Sequence, residues 1–205
     1  MLEELDRINW AGLTHAGGEA SDVPGMIREL LAPDEEMREE AINGLFGTIW
    51  HQGTVYEASP HAVPFLQELL RSNTTPDKLR IAQLLAELAN SAAYLEFTEY
   101  SEAMEKLTRD SLAKAGRDFE QELPESRRFV VETRAAVGKD LALLYPYLGC
   151  NIAEIRGAVA AAFKHYPERR EELRPLLQRA VESEVDAEAK ESMEATIAAL
   201  GSEAE

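Results

Sequence analysis

The residues of this chain best suited to chemistry or recognition crowd into one short run, Ile49-Trp50-His51-Gln52-Gly53-Thr54-Val55-Tyr56-Glu57-Ala58-Ser59-Pro60-His61. It holds two large aromatic rings, two imidazoles and a carboxylate. The surrounding sequence is nearly neutral, with 4 acidic and 3 basic side chains in residues 41–95. Trp and Tyr dominate the energetics of protein interfaces, so Trp50, His51, Gln52, Tyr56, Glu57 and His61 are the candidate partner-binding residues. A plainer role is also open to them, in which Trp50 and Tyr56 cover the end of a core and hydrogen-bond the loop.

Other chemistries find less to work with. His51, Glu57 and His61, with His15 as a fourth, could supply metal ligands, but their spacing fits neither HExxH nor a paired-cysteine motif. Cys150 and the downstream His165 make one thiol–imidazole combination, and a helix N-terminus can lower a thiol pKa. No Asn or Asp stands where it would complete a triad. GxGxxG and GxxxxGK[ST] are absent, so no loop is laid out to cradle phosphate. Carboxylates are plentiful, but an acid–base pair means little without a pocket to hold it. No catalytic residue, metal ligand set or cofactor is assigned, and the chain is expected not to be an enzyme.

The elements that must position these residues are helical. Val23, Met26, Ile27, Leu30 and Leu31 recur at spacings of three and four, which puts them on one helix face. Ser21-Asp22 precede them as cap candidates, and Pro24 falls in the first turn, where no N–H partner is needed. Pro33-Asp34 separates this helix from a second, carrying Met37, Ala41, Leu45 and Ile49. The arrangement returns with Val63, Leu66, Leu69 and Leu70, with Pro64 read as a first-turn proline. A polar break, Ser72 to Asp77, precedes Leu79, Ile81, Leu84, Leu85 and Leu88. It returns again with Leu141, Leu144, Tyr145 and Leu148, a break at Gly149-Cys150-Asn151, and then Ile155, Val159 and Phe163. A last pair carries Leu173, Leu176, Leu177 and Val181, then Val185, Met193, Ile197 and Leu200. No run of alternating β-branched residues bounded by hairpin turns is found.

Pairs of amphipathic helices recurring about every forty residues match the range of helical solenoids, in which each pair hides its apolar stripe only by stacking on its neighbours. The segments DVPGMIRELLAPDEEMREEAINGLFG, AVPFLQELL with PDKLRIAQLLAELA, and IAEIRGAVAAAF resemble HEAT repeats. That family often places Pro or Asp near the inter-helix turn and Arg early in the second helix. Pro33, Asp34 and Arg38 match, as do Pro76, Asp77 and Arg80. Arg156 matches without a preceding Pro or Asp, and the last pair has Lys190 where an Arg is expected. The resemblance covers roughly residues 8–90 and 138–200 and extends to a group of bacterial HEAT-repeat proteins. It implies an all-α, right-handed α-α superhelix of about four to five antiparallel helix pairs in one domain, 1–205. Residues 1–22, with Leu5, Ile8, Trp10 and Leu13, are expected to form an N-terminal cap and 201–205 a frayed tail. Residues 91–137 break the period. Tyr94, Phe97, Tyr100, Met104, Leu107 and Leu112 precede Pro124, and Phe129, Val130 and Val137 follow it, which reads as an irregular, longer helix pair.

The chain carries 38 acidic against 21 basic residues, a net charge of -17. Such a surface repels phosphates and anionic lipid, which argues against nucleic-acid or membrane partners. It favours encounter with a basic protein, although acidity also serves solubility alone. The ends are the most acidic, with 11 acidic and 3 basic residues in 1–40 and 11 and 5 in 168–205. A single cysteine permits no internal disulfide, and the acidic N-terminus lacks a basic leader region, so the cytoplasm is the expected setting. The leading functional expectation is a protein-interaction scaffold. An immunity protein that neutralises a basic toxin or nuclease is the sharper variant. The HEAT-like enzymes, bilin lyases and alkylpurine DNA glycosylases, are disfavoured. The first would need a tetrapyrrole pocket and the second a basic groove, and the sequence supplies neither.

Overall fold

The structure, a computed structural model, describes residues 1–96 and 102–201. Its helices begin where the sequence supplies start signals. Pro24 and Pro60 occupy the first turns of α1 (Val23–Glu29) and α3 (Ser59–Arg71). Asp34 accepts a hydrogen bond from the Met37 amide at 3.1 Å and opens α2 (Glu35–Thr48). Asp118 does the same for the Gln121 amide at 3.0 Å, ahead of α6 (Phe119–Gly138). The remaining α-helices are α4 (Lys78–Asn90), α5 (Glu102–Lys114), α7 (Ala153–Phe163), α8 (Arg170–Ser183) and α9 (Ala187–Gly201). A 3-10 segment, Leu141–Gly149, replaces the first helix expected before α7. The fold is mostly helical, as the periodicity requires.

Consecutive helices pack on each other, α1 on α2, α3 on α4 and α8 on α9. The second members form one row, in which α4 packs on α7 and α7 on α9. The first members form another, in which α1 meets α3, α3 meets α6 and the 3-10 segment, and that segment meets α8. Between the rows lies one core running from Leu2 to Leu200, with Leu45, Leu66, Leu85 and Phe163 fully buried. Each such side chain contributes about 1.5–3 kcal/mol by leaving water. Leu2, Leu5 and Trp10 close the N-terminal end of this core, and the Trp10 indole donates to the Leu5 carbonyl at 2.8 Å.

Arginines early in the second helices tie one pair to the next. Arg38 pairs with Asp77 and donates to the carbonyls of Ala32 and Pro33 at 2.9 and 3.0 Å. Arg156 grips Glu184 with two hydrogen bonds of 2.6 Å and reaches the Cys150 carbonyl at 2.8 Å. Asp77 stands at the head of α4 with φ +36° and caps no amide, because its carboxylate is turned to Arg38.

Further expectations need correction. Val185 does not belong to the last helix's apolar stripe: it precedes α9, which begins at Ala187, and is 94% exposed. Pro64 is not a first-turn proline, since α3 begins at Ser59 and Pro64 lies inside it on the exposed side. Pro124 does not divide two helices either: α6 runs through it from Phe119, and the carbonyl left without a donor belongs to exposed Glu120. Short strands are present: β1 (Thr14–His15) pairs with β2 (Gly18–Glu19), and β3 (Trp50–His51) pairs antiparallel with β4 (Thr54–Val55). β4 pairs in parallel with β5 (Ala92–Ala93). Finally, Asp22 heads α1 without capping it, and instead accepts from the buried His15 Nε2 at 2.9 Å. Within 91–137, α5 packs on α6, and Leu95, Leu112 and Phe119 form a small second core. Phe97 and Tyr100 lie outside the described residues, as does the side chain of Met104. Gly201 closes α9, and the rest of the expected tail, 202–205, is likewise outside.

Candidate functional site

The run from Ile49 to His61 folds as a hairpin that steps from α2 to α3. Gln52 and Gly53 both take positive φ, +50° and +82°, which gives the tight turn whose twist suits a two-residue hairpin. The corner is locked from inside. Ser59, fully buried, accepts from the Tyr56 amide at 2.8 Å and donates to the Ile49 carbonyl. β5 then adds a third strand, so residues from either end of the α3–α4 pair are fastened together.

This geometry disperses the six predicted site residues. His51 and Gln52 sit exposed at the hairpin tip, and His61 is exposed on α3. The Glu57 carboxylate is engaged by the Thr14 amide and hydroxyl at 3.1 and 3.2 Å, which ties the hairpin to β1. Tyr56 stacks on Tyr94 with centroids 5.4 Å apart, and its hydroxyl meets that of Thr54 at 3.0 Å. Burial pushes the Tyr56 phenol up. Burial, with the Glu122 carboxylate beside it, pushes Tyr94 up to about 12. Both phenols therefore stay protonated; Tyr94 donates to Glu122 at 3.2 Å, while Tyr56 accepts from the Thr54 hydroxyl. His15 is occupied with Asp22, and its Nδ1 accepts from the Gly17 amide at 2.9 Å. Among the described residues no group of three His, Cys, Asp or Glu could hold a metal ion. Cys150 and His165 lie before and after α7, whose eleven residues separate them by about 16 Å, so they form no nucleophile–base pair.

Trp50 has a different fate. Its ring meets Phe46 edge-on at 5.6 Å, and the Arg80 guanidinium lies 4.8 Å above that Phe46 ring. The indole Nε1 is buried without a hydrogen-bond partner among the described residues. Arg80 continues to Asn43 at 3.2 Å and Gln83 at 2.5 Å, and Gln83 donates to Glu154 at 3.3 Å. A chain of contacts thus crosses from the hairpin over α4 to α7.

These residues lead onto a groove that the sequence reading missed. Its walls come from the second helices. Glu87 and Asn90 project from α4, Glu154, Gly157, Ala158 and Ala161 from α7, and Glu188, Ala189 and Ser192 from α9. Arg80, Gln83, Glu87 and Asn90 keep the three-and-four spacing that defines one helix face. Small residues let the helices approach: a methyl on Gly157 would stand 3.5 Å from the Ala189 Cα. The groove encloses about 460 Å³. The Glu87 carboxylate has no ion pair or hydrogen bond among the described residues. Burial raises its pKa, and the negative Glu154 raises it further. The signal in the sequence was the polar i, i+3, i+7 set within α4, which reads as an ordinary solvated face until α7 closes over it.

No protein-family model, curated protein or solved structure matches this chain. No helix among the described residues is long and apolar enough to cross a membrane.

Proposed function

We propose that this chain is a HEAT-type α-solenoid that holds a basic segment of a protein partner and performs no chemistry of its own. Three observations support the reading: the two rows of helices, the arginine ties from pair to pair, and a groove along the second-helix row whose carboxylates have no ion pair among the described residues. The observation that carries it is Glu87. A half-buried carboxylate beside a second carboxylate costs stability unless a cation arrives to neutralise both. A lysine or arginine of a partner would supply that charge, and the net charge of -17 would speed its approach. The single cysteine fits a reducing, cytoplasmic setting for such a scaffold.

Affinity capture from native lysate at rising salt tests the proposal, comparing the wild-type chain with a Glu87→Gln/Glu154→Gln variant. A basic protein retained by the wild type, and lost from the variant and at high salt, is expected. The same proteins recovered equally on both baits would refute it.

A further inference from the structure

A second cleft opens on the other side of Arg80. Whereas α4 packs along α7 and α7 along α9, α2 and α4 touch over only a short stretch. The gap between them, about 320 Å³, is lined by Leu30, Ile42, Leu79, Ile81 and Ile152. Ile152 is 38% exposed at the head of α7, and Leu79 is partly exposed. The rim holds Glu35, Glu39, Arg38, Asp77 and Arg80. Its positive charges are already spent: Arg38 on Asp77 and two carbonyls, Arg80 on Asn43, Gln83 and the Phe46 ring. Glu35 and Glu39 have no ion pair or hydrogen bond among the described residues, and both are exposed. The cleft therefore offers an apolar floor beneath two unneutralised carboxylates.

We infer that this cleft seats one large aliphatic side chain of a peptide segment, with a lysine or arginine a few residues away pairing with Glu35 and Glu39. The inference rests on the reading of the chain as a holder of basic segments and names the anchor that such a segment carries. Charge complementarity selects the flanking residues: a cation meets free carboxylates at the rim, while an acidic flank would face them unpaired. Size selects the anchor. At about 320 Å³ the cleft lies at the small end of the ~300–1,000 Å³ typical of small-ligand sites. Two chains of charge -17 repel each other, which argues against a second copy as the occupant. Arg80 borders both the cleft and the Trp50–Phe46–Gln83 chain, so one extended segment could reach cleft and groove together.

The test is selection of a random twelve-residue phage-display library on the full chain, followed by affinity measurement of synthetic copies of the enriched peptides. Enriched peptides should carry one Leu, Ile or Met with Lys or Arg within about four residues. Two cleft variants should each weaken them roughly tenfold, the scale of one anchoring contact. One is Glu39→Lys, on an exposed helix position. The other is Ile152→Ser, which removes the exposed apolar wall while giving α7 a better N-cap residue, so lost binding cannot be ascribed to a lost fold. The Glu87→Gln/Glu154→Gln variant reports on the groove separately. Peptides weakened by it and indifferent to both cleft variants would overturn the cleft and leave the groove standing; the opposite pattern would overturn the groove alone. Enrichment of peptides without a basic residue or without an aliphatic one would overturn the cleft assignment. So would binding of free alkylammonium ions as tightly as the peptides, or a dimer that Ile152→Ser dissolves.

Discussion

Replacing Glu184 by Gln isolates the tie between the last two helical layers. The Glu184 side chain is 2% exposed and its Arg156 partner 14%. Two hydrogen bonds of 2.6 Å join them, and Glu184 also accepts from the amides of Val185 and Asp186 at 3.0 and 2.9 Å. The Arg156 guanidinium first, and those amides next, hold the Glu184 pKa down from its usual 4.5 to about 2. Taken at face value, a shift of that size is about 3 kcal/mol. The side chains are shielded from direct water contact but lie under a thin layer of protein rather than in the deep core, so the full shift is discounted and a cost of about 2 kcal/mol is expected. That value falls between exposed pairs at ~0–1 and deeply buried ones at ~3–5 kcal/mol. Because the folded pKa is depressed, this stabilisation is fully present above about pH 4.5 and disappears as pH falls through about 2. Urea unfolding followed by circular dichroism, at pH 7 and at steps down to pH 2.5, should show the Glu184→Gln deficit at neutral pH and its narrowing in acid. A deficit under 0.5 kcal/mol at pH 7, or one that stays constant with pH, would show that the pair does not hold these layers together.

Other substitutions test other joints. Glu87→Gln removes a carboxylate whose pKa is raised by burial and by Glu154. Ionised Glu87 therefore opposes folding at neutral pH, and the variant should melt higher than the wild type, with the gap closing as acid protonates the native residue. Ser59→Ala strips a fully buried hydroxyl from the Tyr56 amide and the Ile49 carbonyl, and should cost about 1–3 kcal/mol in chemical denaturation. Gln67→Leu should cost a similar amount. The Gln67 amide donates to the Ala136 and Val137 carbonyls at 3.2 and 3.0 Å, and its loss leaves these carbonyls, where α3 covers the end of α6, with only the long 3.3 Å bonds from the Lys139 and Asp140 amides. Gly157→Leu should lower the melting temperature by several degrees, since α9 comes too close to admit the larger side chain, whereas Gly157→Ala should be tolerated.

What the sequence made legible was governed by local periodicity. The apolar stripes of α1 to α4 and of α7 to α9, and the arginines at 38 and 156, were readable because spacing of three and four residues fixes a helix face. The hairpin escaped because its turn is Gln52-Gly53. Gln is not among the residues that advertise a positive φ, so only Gly53 hinted at it. β5 could not be read at all: Ala92-Ala93 has little strand preference, and parallel pairing with Thr54-Val55 depends on two helices bringing them together. The two interior prolines misled for a related reason. Proline marks a helix start only by preference: Pro64 lies inside α3 on an exposed position, and Pro124 lies inside α6 over the exposed Glu120. The partners of the six candidate residues could not be read from sequence, because those that are engaged are each met by a different part of the chain: Trp50 by Phe46, Tyr56 by Tyr94 and Glu57 by Thr14. The groove and the cleft each draw on three or more helices far apart in the chain, and no window of sequence contains them.

The ribbon of three strands has a consequence for how this chain tolerates change. By clasping Thr54-Val55 to Ala92-Ala93, it gathers both ends of the α3–α4 pair into one knot just before the helical rhythm is interrupted. The α5 limb beyond that knot rests on its own small apolar nucleus of Leu95, Leu112 and Phe119. Lengthening or shortening that limb would leave the main core, which runs from Leu2 to Leu200, intact.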